Sequence, residues 1–308
     1  MKSLRGQKIL LTGPAGQIAY PLARALAADN DVWGIARFSQ PGSRDRVESL
    51  GVTTRVVDLI DPDLSELPTD FDYVLHLAAS IVDGFDADTA IRINAEGTGQ
   101  LMSTFRSARA FLVMSSCAVY GSPKDGETAV PEGFDYGGSP QPYSSSYSVS
   151  KFAEESVARF AAREFNLPTT IARMNVAYGD NGGLPAMLLD AILAGQTIPL
   201  RPQRASICSP IHEDDIIAQT PALLAAASVP ATITNWGGDE AVDLRELIRL
   251  LGESVGREVR TEESEMGIHH YHLDPTRRRQ LAGRCQVSWK EGVRRMVDAR
   301  RKQAESEH

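Results

Sequence analysis

Residues 8–19 are Lys8-Ile9-Leu10-Leu11-Thr12-Gly13-Pro14-Ala15-Gly16-Gln17-Ile18-Ala19, a short apolar run followed by a turn that contains two glycines. Apolar residues then recur at helical spacing, so the pattern predicts a strand, a glycine turn and a helix. Gly13 and Gly16 permit a tight turn, and the free N–H groups of a helix N-terminus attract a phosphate. Ala19 fills the third small position of a dinucleotide-binding turn. An ordinary strand–helix loop is the alternative interpretation.

The end of the second predicted strand, residues 31–36, bears on which dinucleotide would bind. It lies about twenty residues beyond the glycines, where an NAD-binding chain usually has Asp or Glu for the ribose 2′-hydroxyl. This chain has Ala36 and then Arg37. A carboxylate would repel a 2′-phosphate, whereas a guanidinium can bind it through two hydrogen bonds. The sequence therefore favours NADP, with the alternative that Arg37 stacks on adenine and either cofactor binds.

Further strand-like runs alternate with helical patterns and predict a parallel sheet covered on both faces. They lie at residues 54–57, 73–77, 110–114 and 169–172. Asp58 follows the third strand, where its carboxylate could accept the adenine amino group or cap a turn. The small residues after the fourth strand, Ala78 and Ala79, would let a cofactor approach the sheet edge. Asn94 lies in a predicted helix, from which a buried amide could join that helix to the strand ends.

Tyr147 and Lys151 lie four residues apart at the start of a predicted amphipathic helix. Residues at i and i+4 share one face of a helix, so the phenol and the ammonium can point into one pocket. A nearby cation favours the phenolate and lowers a pKa that is about 10 in an unperturbed tyrosine. Such a tyrosine can move protons at an alcohol or carbonyl near neutral pH. Ser115 and Ser116 end the fifth strand, and either hydroxyl could hydrogen-bond the substrate oxygen.

The composition limits the class of protein. The chain has 308 residues, of which 42% are hydrophobic and 23% charged, and it can bury a large core in one or two domains. The net charge of −8 argues against nucleic-acid binding. No apolar run approaches the ~18 residues that would span a bilayer. The three cysteines are far apart and indicate neither a disulfide framework nor a metal site, so a reducing cytoplasm is expected.

No metal is expected at the histidines either. The run His269-His270-Tyr271-His272 has no spaced cysteine or carboxylate partner, so we interpret it as a loop or as part of the cleft. The acidic residues 213–215 precede an apolar run and are expected to favour a helix N-terminus.

The chain resembles the extended branch of the short-chain dehydrogenase/reductase superfamily, the NAD-dependent epimerase/dehydratase-like proteins, over nearly its whole length. The matching motifs are Thr12-Gly13-Pro14-Ala15-Gly16-Gln17-Ile18, Asp58-Leu59, His76-Leu77-Ala78-Ala79, Asn94-Ala95-Glu96-Gly97-Thr98, Ser115-Ser116-Cys117-Ala118-Val119-Tyr120-Gly121, Tyr147-Ser148-Val149-Ser150-Lys151 and Asn235-Trp236-Gly237-Gly238. The resemblance implies an α/β fold, a doubly wound parallel Rossmann sheet with a smaller, discontinuous C-terminal substrate domain. We expect the dinucleotide-binding domain at residues 1–178 and 205–238, and the substrate domain at 179–204 and 239–308.

The resemblance also implies a role for each matching residue. Tyr147 would be the acid/base, Lys151 its electrostatic partner and a ligand of the nicotinamide ribose, and Ser116 the catalytic serine. Hydride would pass from the nicotinamide to a carbonyl carbon while Tyr147 protonates the oxygen. Besides Tyr147 and Lys151, the cofactor would contact Gly13, Ala15, Gly16, Gln17, Ile18, Arg37, Asp58, Leu59, Leu77, Ala78, Ala79 and Asn94. The substrate would contact Ser80, Cys117, Asn175, Val176 and Cys208.

Two departures from the family pattern bear on the substrate. Members that act on sugar nucleotides usually carry Arg-x-x-Asn-Val-Tyr-Gly, but this chain has Val176 at the asparagine position and Asn175 one place earlier. They also carry an arginine where this chain has Cys208. Both missing groups address the nucleotide diphosphate, and Arg201 and Arg204 could compensate for them.

A third departure bears on the reaction. The dehydratases of the family place Asp-Glu after the catalytic hydroxyl, where this chain has Cys117 and Ala118. Elimination of water is therefore not expected.

Three functional hypotheses follow. The leading one is an NADP-dependent oxidoreductase that acts on an alcohol/carbonyl pair of a small or medium-sized, non-nucleotide substrate. The alternative is a nucleotide-sugar epimerase that uses tightly bound NAD as a transient hydride store, which Arg173 and Tyr178 favour. A non-catalytic dinucleotide-sensing protein is the third. In each case we expect a cytoplasmic homodimer, whose interface in this family is formed by the helices that start near Asn94 and Tyr147.

Overall fold

The structure is a computed structural model, and it describes residues 4–80, 86–123, 127–137, 145–202, 206–265, 267–268 and 270–306. The strands are β1 (Lys8–Thr12), β2 (Asp31–Ala36), β3 (Thr53–Val56), β4 (Tyr73–His76), β5 (Ala110–Ser116), β6 (Thr169–Met174), β7 (Val176–Gly179), β8 (Gly182–Gly183), β9 (Thr197–Leu200), β10 (Ile207–Cys208), β11 (Pro210–His212), β12 (Thr232–Trp236), β13 (Val242–Asp243) and β14 (Arg260–Glu263). The helices are α1 (Ala19–Ala27), α2 (Ser43–Glu48), α3 (Ala87–Ile91), a π-helical segment (Arg92–Glu96), α4 (Gly97–Thr104), α5 (Ser145–Glu164), α6 (Leu184–Leu193), α7 (Glu213–Ala225), α8 (Leu244–Val255), α9 (Thr276–Ala282) and α10 (Trp289–Ser306).

Seven strands form the central sheet in the order β12-β6-β5-β4-β1-β2-β3, and each neighbouring pair is parallel. From β3 to β6 this is the strand order of a dinucleotide-binding Rossmann sheet, so the predicted fold class is confirmed. The inner strands are almost wholly buried because helices cover both faces of a parallel sheet, whereas the edge strand β3 is partly exposed. In β1, for example, Ile9, Leu10 and Leu11 are all fully buried.

Two predicted strands are longer in the structure than in the sequence analysis. β5 continues through Ser116 and β6 through Met174, and these residues pair with each other. The polar Ser115 is tolerated inside the sheet because its hydroxyl donates a hydrogen bond to Glu155, at 2.6 Å.

The helices cover the sheet as two layers. On one face, α1 and α7 pack against the sheet through residues such as Leu22 and Leu223. On the other face, α4 and α5 pack through residues such as Phe105 and Ala158. The carboxyl ends of β1, β4 and β5 therefore open between these layers, which is where ligands bind in such sheets.

A separate hydrophobic cluster lies in the later part of the chain. It joins α6, α8 and α10, with residues such as Leu189, Leu247 and Val293 fully or almost fully buried. β12 returns to the main sheet beside β6, between segments that contribute to this cluster. The division into two domains at the stated boundaries stays a prediction, which this separate core supports. Within the described ranges, no helix combines the length and apolar character needed to cross a membrane.

Candidate active site

The glycine turn lies between β1 and α1 and has the form that a dinucleotide needs. Gly13 has φ of 67°, and a Cβ atom there would lie 3.2 Å from the Cα atom of Ala78. The turn is closed by the N–H of Gly16, which donates to the Gly13 carbonyl at 2.8 Å. Ile18, directly before α1, supplies no side-chain cap, so no side chain of that residue occupies the N-terminal end of the helix, where an anion would bind. These features fit the pyrophosphate of a dinucleotide.

A chain of hydrogen bonds fixes the ends of β1 and β4 behind this turn. The Thr12 hydroxyl accepts the N–H groups of Leu77 and Ala78 and pairs with Nδ1 of His76 at 2.8 Å. Nε2 of His76 lies 2.8 Å from the Thr98 hydroxyl, which donates to the Asn94 carbonyl. Burial lowers the pKa of His76 to about 3, so the ring is neutral and holds the backbone in place.

The end of β2 presents Arg37 to solvent. Arg37 is exposed and makes no hydrogen bond or ion pair within the described part of the chain. By contrast, Arg44 is bound to Glu48 and Thr54. A free guanidinium directly after β2 is available to a group on the adenosine ribose.

The other predicted adenine contacts follow β3. The Asp58 carboxylate accepts the N–H of Ile60 at 3.1 Å, which is the turn-capping role. Leu59 packs against Gly97, where a Cβ atom would lie 2.8 Å from the Leu59 carbonyl oxygen. Gly97 thus allows this loop to lie close to α4.

The three predicted catalytic residues converge where β5 meets α5. Tyr147 lies in the first turn of α5, and the Ser116 hydroxyl, at the end of β5, is close enough to favour the phenolate of Tyr147. Nζ of Lys151 lies 5.9 Å from the centre of the Tyr147 ring and donates to the Met114 carbonyl at 2.9 Å. The Ser115 hydroxyl is bound to Glu155, which favours Ser116 as the serine that would face the substrate, and its catalytic role stays a prediction.

Burial has the largest effect on the pKa values of Tyr147 and Lys151. Burial raises the pKa of Tyr147 above that of a free tyrosine, while Lys151 acts in the opposite direction. Burial alone would lower the pKa of Lys151, but the Glu154 carboxylate and Tyr147 offset this effect, and the net shift is upward. Lys151 therefore remains a cation beside the phenol.

Asn94 joins the helices to the loop that follows β4. Its Oδ1 atom accepts the N–H of Ser80 at 2.8 Å, and its Nδ2 atom donates to the Ser80 carbonyl and to the Ser150 hydroxyl. The Ser150 hydroxyl in turn donates to the carbonyl of Tyr147. Asn94 is almost fully buried in the π-helical segment, a distortion that is frequent at functional sites. Its amide positions the first turn of α5 relative to the sheet edge.

The five predicted substrate residues have different surroundings. Ser80 is held by Asn94 through its backbone. Asn175 donates to Cys117 Sγ at 3.3 Å and to the Tyr271 carbonyl, so it joins loops around the site. Val176 and Cys208 are buried in the second hydrophobic cluster. Because these two side chains pack among apolar neighbours, their burial argues against the prediction that they contact a substrate.

The sequence analysis used Arg173 only as support for a nucleotide-sugar substrate, and it did not single out Glu154 and Glu155. Arg173 is fully buried and binds Glu155 through two nitrogens, at 2.8 and 2.7 Å, so it is not free to bind a substrate. Glu154 lies 2.7 Å from Nζ of Lys151. A signal was present, because Tyr147, Lys151, Glu154 and Glu155 share one helical face.

A further contact joins the glycine turn to the chain after β7. Asn181 donates to the carbonyls of Gly16 and Gln17, and Arg46 donates to the Asn181 amide oxygen at 2.7 Å. Asn181 carries no sequence motif, so nothing in the sequence indicates this contact.

The remaining sequence expectations concern the acidic run and the metal. The acids at 213–215 occupy the first turn of α7, as predicted. No three potential metal ligands converge in the part of the chain that the structure describes. His269, Arg204 and residues 81–85 lie outside the described residues.

The comparisons with known proteins agree with this geometry. Residues 9–230 match the model of the NAD dependent epimerase/dehydratase family. No curated protein sequence matches the chain significantly.

Solved structures resemble the protein over almost its whole length. A UDP-glucuronic acid 4-epimerase from Bacillus cereus, in complex with UDP-glucuronic acid and NAD, is 24% identical with a TM-score of 0.83 and covers 96% of this chain and 99% of its own. A UDP-N-acetylglucosamine 4-epimerase from Methanobrevibacter ruminantium is 19% identical with a TM-score of 0.83, covering 97% and 100%. A dTDP-glucose 4,6-dehydratase from Streptomyces venezuelae with NAD bound is 24% identical with a TM-score of 0.80, covering 97% and 98%.

The family match spans more than two thirds of the chain, and the glycine turn fits the nicotinamide dinucleotide that such proteins use. The chain therefore belongs to the NAD dependent epimerase/dehydratase family and is an enzyme of the extended short-chain dehydrogenase/reductase type.

Proposed function

We propose that this enzyme is a nucleotide-sugar epimerase, which oxidises and re-reduces one carbinol carbon of its substrate while it keeps a nicotinamide dinucleotide bound. The observation that carries the proposal is the convergence of Ser116 and Lys151 on the Tyr147 phenol, next to the glycine turn. The cofactor supplies hydride transfer. Tyr147 takes the proton from the substrate hydroxyl and returns it, Ser116 holds the substrate oxygen, and Lys151 stabilises the phenolate.

Epimerisation is favoured over dehydration by the residues after Ser116. Elimination of water needs an additional acid/base pair, and this chain has Cys117 and Ala118 at the corresponding positions. Burial raises the pKa of the Cys117 thiol to about 11, so the thiol is a poor proton-transfer group near neutral pH. The structural relatives include both 4-epimerases and a dehydratase. Of these two reactions, only epimerisation suits a chain with Cys117 and Ala118 after the serine.

The nucleotide diphosphate needs cationic groups that the usual motif positions do not supply. Arg201 follows β9, and its Nη1 atom is buried without a hydrogen-bond partner among the described residues. Its Nε atom lies 3.8 Å from Glu265, which is a loose contact. A phosphate oxygen would satisfy this guanidinium, which is why we assign Arg201 to the diphosphate.

The second candidate is an NADP-dependent oxidoreductase with a non-nucleotide substrate. Two observations favour it, namely the free guanidinium of Arg37 and the apolar burial of Val176 and Cys208. In this case Arg37→Ala should weaken the binding of NADPH at least about tenfold and leave NADH binding unchanged, because one phosphate contact contributes about 1.5 kcal/mol or more. Arg106→Ala, which removes another exposed arginine, is the control.

Cofactor content separates the two candidates. An epimerase should purify with close to one dinucleotide per chain and should convert UDP-glucuronic acid or UDP-glucose without added cofactor, as followed by proton NMR. Protein that purifies without cofactor, and that acts only on a carbonyl compound with added NADPH, would show the second candidate instead. A cytoplasmic location and a homodimer remain predictions in either case.

A further inference from the structure

A buried carboxylate lies against the lysine of the proposed acid/base site. Glu154 follows Lys151 by three residues on α5, so the two side chains share a face of the helix. Its Oε2 atom is 2.7 Å from Nζ of Lys151, and the side-chain exposures are 0% for Glu154 and 1% for Lys151. An ion pair that is shielded from water in this way interacts far more strongly than a surface pair.

The groups around Glu154 show that Lys151 is its counterion. From β4, Nε2 of His76 lies 3.6 Å away, but this ring is neutral because burial lowers its pKa to about 3. From α4, the neutral hydroxyl of Thr98 faces the carboxylate. Glu155, the next residue of α5, adds a second negative charge that is already paired with Arg173 of β6. Tyr147 on the same helix is the remaining titratable group.

The position of Glu154 matters because the same ammonium serves two groups. Lys151 favours the Tyr147 phenolate by its positive charge, and the negative charge of Glu154 acts on that phenol in the opposite direction. We propose that Glu154 is a positioning residue, whose carboxylate charge, held against Lys151, limits how strongly the lysine favours the Tyr147 phenolate. This inference rests on the proposed role of Tyr147 as the acid/base.

The charge of Glu154 changes near neutral pH. Burial raises the pKa of Glu154 to about 7, while Lys151 acts in the opposite direction. Below pH 7 the carboxyl is neutral and the ammonium acts on the phenol unopposed. Above pH 7 the carboxylate forms and weakens this effect. The pair thus favours the phenolate, the form that accepts a proton, in acid, and the phenol, the form that donates one, in alkali.

The test is a spectroscopic titration of the tyrosines in the complex with NAD⁺, which needs no substrate. The ionisation of Tyr147 is the part of the tyrosinate absorbance change that Tyr147→Phe removes. In Glu154→Gln, which keeps the shape but removes the charge, Tyr147 should ionise about 1 pH unit lower than in the wild type, the lower end of the effect of a charge within ~4–6 Å. Glu164→Gln removes an exposed carboxylate from the same helix and should leave the titration unchanged.

A second variant separates charge from packing. Glu154→Asp keeps the charge but removes a methylene, so Tyr147 should titrate as in the wild type. An unchanged titration in Glu154→Gln, or equal shifts in both variants, would overturn the proposal. If Glu154→Gln does not fold because Lys151 is left unpaired, the comparison is made between Lys151→Met and Lys151→Met/Glu154→Gln, where loss of the carboxylate should again lower the Tyr147 pKa.

The titration distinguishes failure of the Glu154 proposal from failure of the proposed function. If Tyr147→Phe removes no titrating group, then Tyr147 is not the acid/base and both proposals fall. If Tyr147 titrates but is insensitive to Glu154, only the role of Glu154 is contradicted.

Discussion

In the proposed mechanism the chemistry depends on the phenol of Tyr147, because both Ser116 and Lys151 act on its pKa. Tyr147→Phe removes the proton-transfer group and changes little else. Turnover should fall about 10²- to 10⁴-fold, the usual contribution of a positioned acid/base. Dinucleotide binding, followed by isothermal titration calorimetry, should stay within a few-fold of the wild type. A Phe variant with wild-type turnover would remove Tyr147 from the mechanism.

At the residue scale, the sequence indicated the candidate catalytic residues but not the buried contacts around them. The spacing of Tyr147 and Lys151 was readable because helical geometry places i and i+4 on one face. The choice of Ser116 over Ser115 depends on Glu155, which is far from both in sequence. The burial of Glu154 depends on packing against His76 and Thr98, which belong to other elements. Long-range contacts of this kind leave no local pattern.

At the element scale, the first turn of α5 depends on the π-helical segment. Asn94→Ala would remove three hydrogen bonds and leave the N–H and carbonyl of Ser80 unpaired. We expect the free energy of unfolding to fall by about 1–3 kcal/mol, the cost of leaving buried polar groups unsatisfied. Urea denaturation measures this loss. Gln100→Ala, at an exposed position of α4, is the matched control and should change stability by less than about 0.5 kcal/mol.

The same variant tests whether Asn94 positions the tyrosine. If it does, Asn94→Ala should lower kcat more than it raises KM, since Tyr147 would lose its fixed orientation. Stability and kcat that both equal those of the Gln100→Ala control would contradict this role.

The strands of the main sheet could be predicted because a parallel sheet is buried on both faces. The inner strands β1, β4 and β5 are therefore short, largely apolar runs that are followed by small or polar residues. The π-helical segment was not predictable, since its extra residue per turn is stabilised by the contacts of Asn94 rather than by composition. The short strands β7 and β11 pair across a long separation in sequence, which periodicity does not reveal.

At the scale of the whole molecule, α5 exposes an apolar surface formed by Val149, Phe152 and Phe160, which are 51%, 46% and 64% exposed. This surface fits the helix-mediated homodimer that we predicted, because large exposed apolar groups on one helix mark interaction sites. Phe160→Glu would put a charge into that interface and should yield a monomer.

Sedimentation velocity measures the change. Met187→Glu, which alters an equally exposed apolar residue on α6, is the control and should leave the dimer intact. A wild-type protein that sediments as a monomer at micromolar concentration would contradict the predicted assembly.

The parallel sheet covered on both faces could be predicted from the sequence because strand and helix patterns alternate regularly in the first half of the chain. The substrate is different. Its class depends on side chains that no periodic pattern reveals, and Val176 and Cys208, two positions expected to contact it, are packed inside the second hydrophobic cluster. A motif position that normally faces a ligand can thus be occupied by a buried apolar residue, and the substrate class then depends on other side chains such as Arg201.

The most direct test of the proposed epimerase is the fate of the hydrogen on the reacting carbon. The purified protein, without added cofactor, is mixed with UDP-glucuronic acid that carries deuterium at C4, and the products are analysed by mass spectrometry and NMR. An epimerase that stores the hydride on its bound dinucleotide should return the deuterium to C4 of the inverted sugar. No C4 epimer at all, or deuterium recovered only in free nicotinamide cofactor, would contradict the proposal.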